Sequence, residues 1–426
     1  MSEREHDIAV IGAGMVGAAL ALACAANGWR VAVIEPSAPE EPTPDSEPDL
    51  RVSALSAGSE SWLRELGAWP AMEAQRMAPF QRLAVWEAPA GPLASLPGGR
   101  LLANQARTEF DAAQLGRDHL GQIVENRVTR WALWERMGNA PRITRLCPAS
   151  LKGLERGNNE VTLTLDSGDT LTVALVVGAD GANSVTRRLA GIGSSRTQYR
   201  QQAMVINIRH APPAQTITWQ MFTPQGPKAY LPLPEADGSA WGSLVWYDQP
   251  ETLDELMAMD EARLLATIRR TFPLELPDPE AAPARGRFPI AREHAHQYAH
   301  ERVVLIGDAA HTINPLAGQG VNLGFQDAAA LARVLGLGSA GADPGQAQRL
   351  AAYEAERRPR NRLMMDAMDL FYHLFSNTAP PLHLARTLGL GLAGRVPFAR
   401  DRVTRYAMGI DEHLPAPIES LLKRLA

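Results

Sequence analysis

The chain has 426 residues, enough for two or three domains or for one elaborate α/β unit with insertions. Hydrophobic residues make up 45% and charged residues 21%, which is typical of a globular protein with a large core. The net charge of −5 provides no general attraction to nucleic acid, and the two cysteines, Cys24 and Cys147, cannot form a disulfide framework. We therefore expect no nucleic-acid partner, reduced cysteines and a cytoplasmic location.

The first 35 residues predict a strand, a tight turn, a helix and a second strand. Residues 8–11 are apolar, a helix is expected from about Met15 to Asn27, and Gly28 follows at a C-cap position. The segment RVAVIE then forms a buried strand that ends at Glu35. Residues 8–26 are uncharged over the length of a membrane span, but they are rich in alanine and interrupted by glycine, so we expect neither a span nor a signal peptide.

The turn between the first strand and the first helix has the G-x-G-x-x-G spacing of a dinucleotide-binding motif. Gly12 permits a tight turn, Gly14 lets a pyrophosphate approach the backbone, and Gly17 lets the helix pack closely on the strand. Glu35 follows at the distance where a carboxylate accepts hydrogen bonds from ribose hydroxyls, which favours FAD or NAD over NADP. The same spacing at 336–341 and 389–394 follows helical sequence, so we interpret those two copies as helix ends or loops.

The middle of the chain alternates between α/β and β patterns. A proline-rich acidic loop over 36–50 precedes a predicted helix from about Ala57 to Leu66, and the segment ending in GADGANS again predicts strand, turn and helix. Between about 200 and 250, β-type runs with alternating aromatic residues predict an inserted mixed or antiparallel sheet. Residues 345–426 are expected to be mostly helical and contain many arginines.

Two further turns and one loop contain candidate chemistry. Asp180 and Gly181 lie between a strand and a helix, and Asp308 ends the strand RVVLIGD. Each junction is ordinary by itself, but their order behind the first motif is informative. The loop NPLAGQG then places Pro315 and a Gly-Gln-Gly before an Ala/Leu-rich helix, so that little side chain stands at the mouth of that helix.

This order of motifs resembles the group A flavin-dependent aromatic hydroxylases, which hold FAD in a single dinucleotide-binding domain. The resemblance implies an α/β fold with a Rossmann-type FAD-binding domain, an inserted mixed β-sheet substrate domain and a helical C-terminal region. It implies that the cofactor-binding residues are Gly12, Gly14, Gly17, Glu35, Arg51, Asp180, Asp308, Val321 and Asn322. It also implies a flavin-ring and oxygen-reaction loop formed by Pro315, Leu316, Gly318, Gln319 and Gly320.

The proline and glycine content of the loop NPLAGQG is explained if the glycines let the backbone pass close to a flat flavin ring. The helix that begins near Val321 and Asn322 would then direct free N–H groups at the negative charge of the reduced ring, an effect of about 0.3–1 kcal/mol at a helix N-terminus. We expect no dedicated catalytic acid or base, because the cofactor supplies the difficult chemistry.

The stretch NPLAGQGVNLGFQD is similar to the signature of the ubiquinone-biosynthesis hydroxylases. That signature commonly begins with His where this chain has Asn314, and asparagine there resembles the demethoxyubiquinol hydroxylase branch. Matching stretches such as PDLRVSALSAGS, WQMFTPQGP, SLVWYD and MDLFYHLFSN extend the resemblance over nearly the whole chain. Gln326 departs from it, since arginine is usual at that position.

The resemblance implies a monooxygenase that uses FAD, transient NADPH and O₂ to hydroxylate the ring of a polyprenylated methoxy-methyl-benzoquinol, as in 3-demethoxyubiquinol 3-hydroxylation. The alternatives are a sister hydroxylase acting on another ring position, a flavin dehydrogenase, and a non-catalytic scaffold of a quinone-synthesis complex. NADPH is expected along a groove near Arg51 and the Asp-Gly turn, and the substrate wall is expected to include Phe222, Tyr230, Leu233 and Trp246.

Other ubiquinone-biosynthesis proteins and a membrane surface are the expected partners. A solvated helical face and an amphipathic surface both explain the basic tail, which contains Arg386, Arg395, Arg400, Arg402, Arg405, Lys423 and Arg424. No metal site is expected at His294, His296 and His300, because acidic ligands and regular spacing are missing.

The predicted boundaries give three parts. The FAD-binding domain comprises 1–80, 105–190 and 285–340, the substrate domain comprises 81–104 and 191–284, and the C-terminal helical region comprises 341–426.

Overall fold

The structure is a computed structural model that describes residues 5–43, 46–88, 107–236, 238–314, 320–339 and 341–375. The helices in these ranges are α1 Met15–Ala26, α2 Ala57–Glu65, α3 Trp69–Gln75, α4 Asn126–Gly138, α5 Val185–Leu189, α6 Pro250–Ala258, α7 Glu261–Thr271, α8 Gly320–Leu335 and α9 Ala347–Phe375. The strands are β1 Ile8–Ile11, β2 Val31–Ile34, β3 Val52–Ser56, β4 Ala78–Phe80, β5 Arg82–Glu87, β6 Thr108–Asp111, β7 Gly121–Glu125, β8 Ile143–Leu146, β9 Leu151–Arg156, β10 Val161–Leu165, β11 Thr170–Val173, β12 Leu175–Gly178, β13 Ser194–His210, β14 Ile217–Phe222, β15 Lys228–Ala236, β16 Ser239–Asp248, β17 Pro279–Ala295, β18 Ala299–His300, β19 Val303–Leu305 and β20 His311–Thr312.

The first sheet has six strands in the order β18-β19-β12-β1-β2-β8, and those from β19 to β8 are parallel. Strands β1, β2 and β12 are buried along their whole length, as expected for a parallel sheet covered on both faces. The alanine-rich helix α1 packs against α4 and α8, because its small side chains allow close approach. This part of the chain is the predicted Rossmann-type unit.

The second sheet has eight strands in the order β20-β17-β13-β16-β15-β14-β5-β6 and is antiparallel except where β14 pairs with β5. Along each strand of this sheet, successive side chains point to opposite faces. The helix face includes Met204, Ile206, Leu244 and Trp246, which form one core with apolar residues of α6 and α7. The opposite face, called the cleft face below, includes Val205, Asn207, Ser243, Val245 and Tyr247, which alternate with them along β13 and β16.

The cleft face points toward the first unit. Leu233 and Trp241 on this face pack with Ala57 and Ile123, which belong to α2 and to the small sheet β3-β7-β4. The amide nitrogen of Asn207 donates to the carbonyl oxygens of Pro48 (2.7 Å) and Asp49 (3.2 Å), just before β3. The second sheet therefore meets the first unit along β3 and the segment that leads into it.

The predicted boundaries at 104/105 and 284/285 cut through the second sheet. Strand β6 pairs with β5 inside it, and β17 continues to Ala295, where it pairs with β20. The helical prediction for the C-terminal region is met by α9, whereas the basic tail from Arg386 to Arg424 lies outside the described residues. Among the helices that are described, none combines the length and the apolar character needed to cross a membrane.

Candidate functional site

The glycine turn after β1 has the geometry that its spacing predicts. Gly12 has φ +96°, and a Cβ atom there would lie 2.7 Å from the carbonyl oxygen of Ala179. A Cβ atom at Gly17 would lie 2.1 Å from the carbonyl oxygen of Gly12, so α1 and the turn approach too closely for any side chain. A Cβ atom at Gly14 would meet no atom within 4 Å. The first turn of α1 is therefore open on the side from which a pyrophosphate would approach.

Glu35 lies directly after β2 and is buried. One carboxylate oxygen accepts from the backbone N–H of Ala13 at 2.6 Å, and the other accepts from Nη2 of Arg130 at 2.9 Å. Nη2 of Arg130 also donates to the carbonyl oxygen of Ser37 at 2.6 Å. Among the described residues, the buried Nε of Arg130 has no partner. Arg130 is thus a candidate cofactor contact that the sequence prediction missed, since only the fold brings α4 beside β2.

Asp180 ties the Asp-Gly turn to the N-terminus of α5, whose N-cap residue is Ser184. Its carboxylate accepts from the hydroxyl of Ser184 at 2.5 Å and from the backbone N–H of Thr186 at 2.9 Å. Gly181 follows with φ +77°, the left-handed conformation that favours glycine. Asp180 therefore shapes the turn, and its predicted role in supporting the cofactor site stays a prediction.

Arg187 joins the Asp-Gly turn at Asp180 to the turn at Gly307 and Asp308, called the Gly-Asp turn below. Its guanidinium donates to the carbonyl oxygens of Ala182 (3.0 Å) and Ala309 (2.8 Å). It also donates to the carboxylate of Glu293 on β17 at 2.6 Å. The sequence prediction did not single out this arginine, because its partners are distant in the chain.

Asp308 lies in a short 3₁₀ turn, and its side chain is exposed. Among the described residues its carboxylate makes no hydrogen bond and no ion pair. Surrounding protein nevertheless desolvates the carboxyl group and raises its pKa, while nearby His311 lowers it. Because it is exposed and has no partner among the described residues, the Asp308 carboxylate can accept hydrogen bonds from ligand hydroxyls.

A buried ionic network fixes the turn that contains Asp308. The carboxylate of Asp327 on α8 accepts from His311 Nε2 (2.5 Å) and from the backbone N–H of Gly307 (3.2 Å). It also accepts from Arg357 Nε (2.8 Å) and Asn361 Nδ2 (2.9 Å), both on α9. Burial alone would raise the pKa of Asp327, but His311 and Arg357 lower it to about 2. The sequence prediction missed this network because its residues come from separate elements.

The predicted flavin-ring loop is described at one end. Pro315, Leu316, Gly318 and Gln319 lie outside the described residues, whereas Gly320 begins α8 and a Cβ atom there would meet no atom within 4 Å.

Val321 and Asn322 form the first turn of α8. Val321 is half-buried against the main core. The side chain of Asn322 accepts from the backbone N–H of Ser56 (3.0 Å) and the hydroxyl of Ser59 (2.7 Å), and it donates to the carbonyl oxygen of Ala54 (2.9 Å). It therefore fixes the start of α8 to the junction between β3 and α2. Arg51 is exposed immediately before β3.

The four residues predicted as a substrate wall do not share one face of the sheet. Tyr230 and Trp246 lie on the helix face, in the core with Trp219 and Phe272. Strand alternation places Phe222 and Leu233 on the cleft face instead. The prediction that all four form a single wall is therefore wrong, because aromatic character in a strand does not indicate which face a residue occupies.

The cleft face has a partly open apolar centre. Val205, Val245 and Ala229 are adjacent across three strands and are half-buried, as is Leu231. At one end, the hydroxyl of Tyr247 donates to Oδ1 of Asn314 at 3.2 Å, directly before the flavin-ring loop. These side chains form an apolar floor of the candidate substrate cleft, which ends at Asn314, the residue before the predicted loop.

Two of the histidines at which no metal site is expected contact different residues. His294 Nε2 lies 3.1 Å from the hydroxyl of Tyr298, and His296 Nε2 lies 3.0 Å from that of Ser195. Within the described ranges there is no group of three or more His, Cys, Asp or Glu residues able to hold a metal ion.

Comparisons with known proteins agree with this geometry. The family model described as FAD binding domain matches residues 5–368. The chain is 43% identical to 3-demethoxyubiquinol 3-hydroxylase of Escherichia coli (strain K12), over 96% of this chain and 100% of that protein. It is 34% identical to ubiquinone hydroxylase UbiL of Rhodospirillum rubrum, over 98% of this chain and 92% of that protein.

Two solved structures share the fold. PqsL of Pseudomonas aeruginosa in complex with 2-aminobenzoylacetate has a TM-score of 0.73 at 22% identity and covers 90% of this chain and 99% of its own. p-Nitrophenol 4-monooxygenase PnpA of Pseudomonas putida DLL-E4 has a TM-score of 0.73 at 18% identity and covers 97% of this chain and 100% of its own. The fold predicted from the motifs is confirmed.

Proposed function

This chain belongs to the FAD-binding-domain family of flavin-dependent monooxygenases that includes the ubiquinone hydroxylases, and on that premise we propose that it catalyses 3-demethoxyubiquinol 3-hydroxylation. The substrate would be a polyprenylated methoxy-methyl-benzoquinol, and the other reactants would be O₂ and NADPH. The observation that supports this choice is the 43% identity to a 3-demethoxyubiquinol 3-hydroxylase over 100% of that relative.

The residues of the cleft fit FAD. The cradle formed by Gly12, Gly14 and Gly17 leaves the first turn of α1 open for the pyrophosphate. Glu35 would accept from the adenosine ribose and Asp308 from the ribityl hydroxyls, with Arg130 beside Glu35 as an additional contact. Bound FAD supplies the redox chemistry, namely the activation of O₂ for transfer of one oxygen atom to an electron-rich ring.

The protein's own contribution is orientation, exclusion of water and charge stabilisation. The half-buried side chains Val205, Ala229, Leu231 and Val245 would support the substrate ring and keep the cleft dry. The loop Pro315, Leu316, Gly318, Gln319 and Gly320 would lie beside the reacting atoms. Backbone N–H groups of Val321 and Asn322 would stabilise negative charge, as the N-terminus of a helix does. No dedicated acid or base is needed in this scheme.

NADPH would bind transiently near the Asp-Gly turn. A cavity of about 460 Å³ there is lined by Asn183, Ser184, Arg187, Arg188 and Gly191–Ser194. Arg188 is exposed and has no polar partner among the described residues, so it is available to an anion. Together with exposed Arg51, it is a candidate for contact with the phosphates of NADPH.

A sister hydroxylase acting on another ring position is the second candidate, because UbiL matches the chain over 98% of its length. Association with a membrane surface and with other ubiquinone-biosynthesis proteins is part of the proposal, since a polyprenyl substrate does not diffuse freely in water. Flotation of the full chain with liposomes, compared with a chain truncated near residue 380, tests the membrane component. Equal flotation would exclude the tail as the membrane contact.

The test of the function is the lipid-quinone profile of a host that lacks the gene. Wild type and the control Asp278→Ala, which alters an exposed carboxylate on the substrate domain, are expected to restore ubiquinone, whereas Asp308→Ala is not. Accumulation of the demethoxy quinone in the deletion host supports this ring position, and an earlier intermediate would select the sister reaction. Product formed under ¹⁸O₂ must contain ¹⁸O, because a dehydrogenase or scaffold would incorporate none.

A further inference from the structure

Within the part of the chain that the structure describes, two polar atoms on the cleft face are buried and have no hydrogen-bond partner. They are Oδ1 of Asn207 and Oγ of Ser243, and both residues have 0% exposure. Asn207 and Ser243 are directly opposite each other in the β13–β16 pair, so their Cβ atoms lie roughly 4.5–5.5 Å apart. Buried polar groups are normally paired, and an adjacent couple without partners needs an explanation.

The orientation of the Asn207 amide is fixed by its other contacts. Its nitrogen donates to the carbonyl oxygens of Pro48 and Asp49, which cannot donate in return. The oxygen must therefore be the atom without a partner, and it is an acceptor. Ser243 beside it has a hydroxyl, which both donates and accepts. The couple thus presents an acceptor and a donor next to each other.

The same couple borders the apolar floor of the cleft. Ser243 is opposite Leu231 on β15. On the same face, Val205 precedes Asn207 by two residues and Val245 follows Ser243 by two residues. These three side chains are half-buried, whereas Asn207 and Ser243 are enclosed. A flat ring that displaces the apolar side chains slightly would bring an oxygen substituent to the two polar atoms.

We propose that Asn207 and Ser243 form a polar subsite that binds a ring hydroxyl of the aromatic substrate. The hydroxyl donates to Oδ1 of Asn207 and accepts from Oγ of Ser243, so both buried atoms are satisfied once the ring is bound. This inference rests on the proposed function and specifies which substrate group the cleft selects. An ether oxygen at the same place satisfies Ser243 but leaves Asn207 without a donor, so the subsite discriminates a phenol from its methyl ether.

The test uses the FAD-loaded protein and two small probes, 2-methoxy-5-methylphenol and its methyl ether. Dissociation constants are measured from the change in flavin absorbance. We expect wild type to bind the phenol more tightly than the ether. Ser243→Ala should weaken the binding of both probes about 3- to 10-fold, the effect of one net hydrogen bond, and should keep the preference for the phenol, which depends on Asn207. The control Thr218→Val removes a buried hydroxyl that already donates to the carbonyl oxygen of Tyr230 at 2.8 Å, and it should leave both affinities unchanged.

Thermal unfolding without a probe separates the subsite from a structural role. Removing an unpartnered hydroxyl should leave the melting temperature of Ser243→Ala unchanged or higher, whereas Thr218→Val should lower it. If Ser243→Ala binds the phenol and the ether as tightly as wild type does, the subsite is overturned. A lowered melting temperature together with unchanged affinities would also overturn it and would indicate a buried water. Failure of the proposed function is recognised differently, because wild type would then not restore ubiquinone in the deletion host.

Discussion

The guanidinium of Arg187 donates to the carbonyl oxygen of Ala309, 122 residues further along the chain, at 2.8 Å. Since Ala309 follows Asp308, this contact fixes the spacing between the Asp-Gly and Gly-Asp turns. Replacing Arg187 with methionine should leave Glu293 buried without its closest cation. We expect the FAD dissociation constant to rise about tenfold or more, as for a lost charged hydrogen bond. Quenching of FAD fluorescence by the apoprotein measures this dissociation constant, with Arg188→Met as the control. Equal FAD affinities of the Arg187→Met and Arg188→Met proteins would contradict this role of Arg187.

The glycines of the first turn should respond differently to the same substitution. Gly14→Ala meets no atom within 4 Å, so folding should be preserved while FAD affinity falls because the methyl group occupies the approach to α1. Gly17→Ala would place its Cβ 2.1 Å from the carbonyl oxygen of Gly12, so the fold itself should be destabilised. Urea unfolding of the apoproteins and FAD titration separate the two effects. A Gly17→Ala protein as stable as wild type would disprove this interpretation of the turn.

Asp327→Asn should destabilise the protein strongly. The substitution leaves Arg357 and His311 buried without their anion, for which a loss of about 3–5 kcal/mol is typical. Replacing Asp343, which pairs with Arg302 at a more exposed site, is the control and should cost less. Chemical denaturation of the FAD-free proteins measures the free energy of unfolding. A loss at Asp327 no larger than that at Asp343 would argue against the network.

His294 should make stability depend on pH in the mildly acidic range. Burial lowers its pKa from 6.5 to about 4, and the neighbouring side chains of His311, Arg358, Arg292 and Arg362 add to the shift. The unfolded chain therefore binds the proton more readily, so this contribution is complete above pH 6.5 and is lost as the pH falls toward about 4. His294→Gln should flatten the pH dependence of the free energy of unfolding across that interval. An unchanged slope would mean that another group titrates there.

The two faces of the second sheet should be distinguishable by mutation. Val245→Phe fills the half-buried floor of the cleft and should raise KM for the quinol, or abolish turnover, with little effect on stability. Trp246→Phe removes volume from the core under α6 and α7 and should lower stability by about 1–3 kcal/mol without changing KM. Steady-state kinetics with thermal unfolding tests both. Reversed results would mean that the substrate binds on the helix face.

The geometry of the first glycine turn was predictable because it follows local sequence rules. Gly12, Gly14, Gly17 and Glu35 lie at fixed spacings around one turn, and their conformations follow from that spacing. The network around Asp327 was not predictable, since it joins α8, α9 and β20 through contacts that have no sequence period. The assignment of Tyr230 and Trp246 to the cleft failed for a related reason. In a sheet covered on both faces, apolar residues occur on both, so alternation alone does not identify the side that binds a ligand.

Strand β17 has a mechanical consequence. It pairs with β13 in the middle of the substrate sheet, and its last residues pair with β20, three residues after Asp308. One strand therefore belongs both to the second sheet and to the frame of the turn that contains Asp308, and its pairing with β13 shifts register between Gln198 and Gln202. Rotation of one half against the other would break this ladder, so we expect the two halves to move as a single stiff body. Entry of substrate and release of product would then depend on local motions of loops and side chains rather than on a hinge between domains.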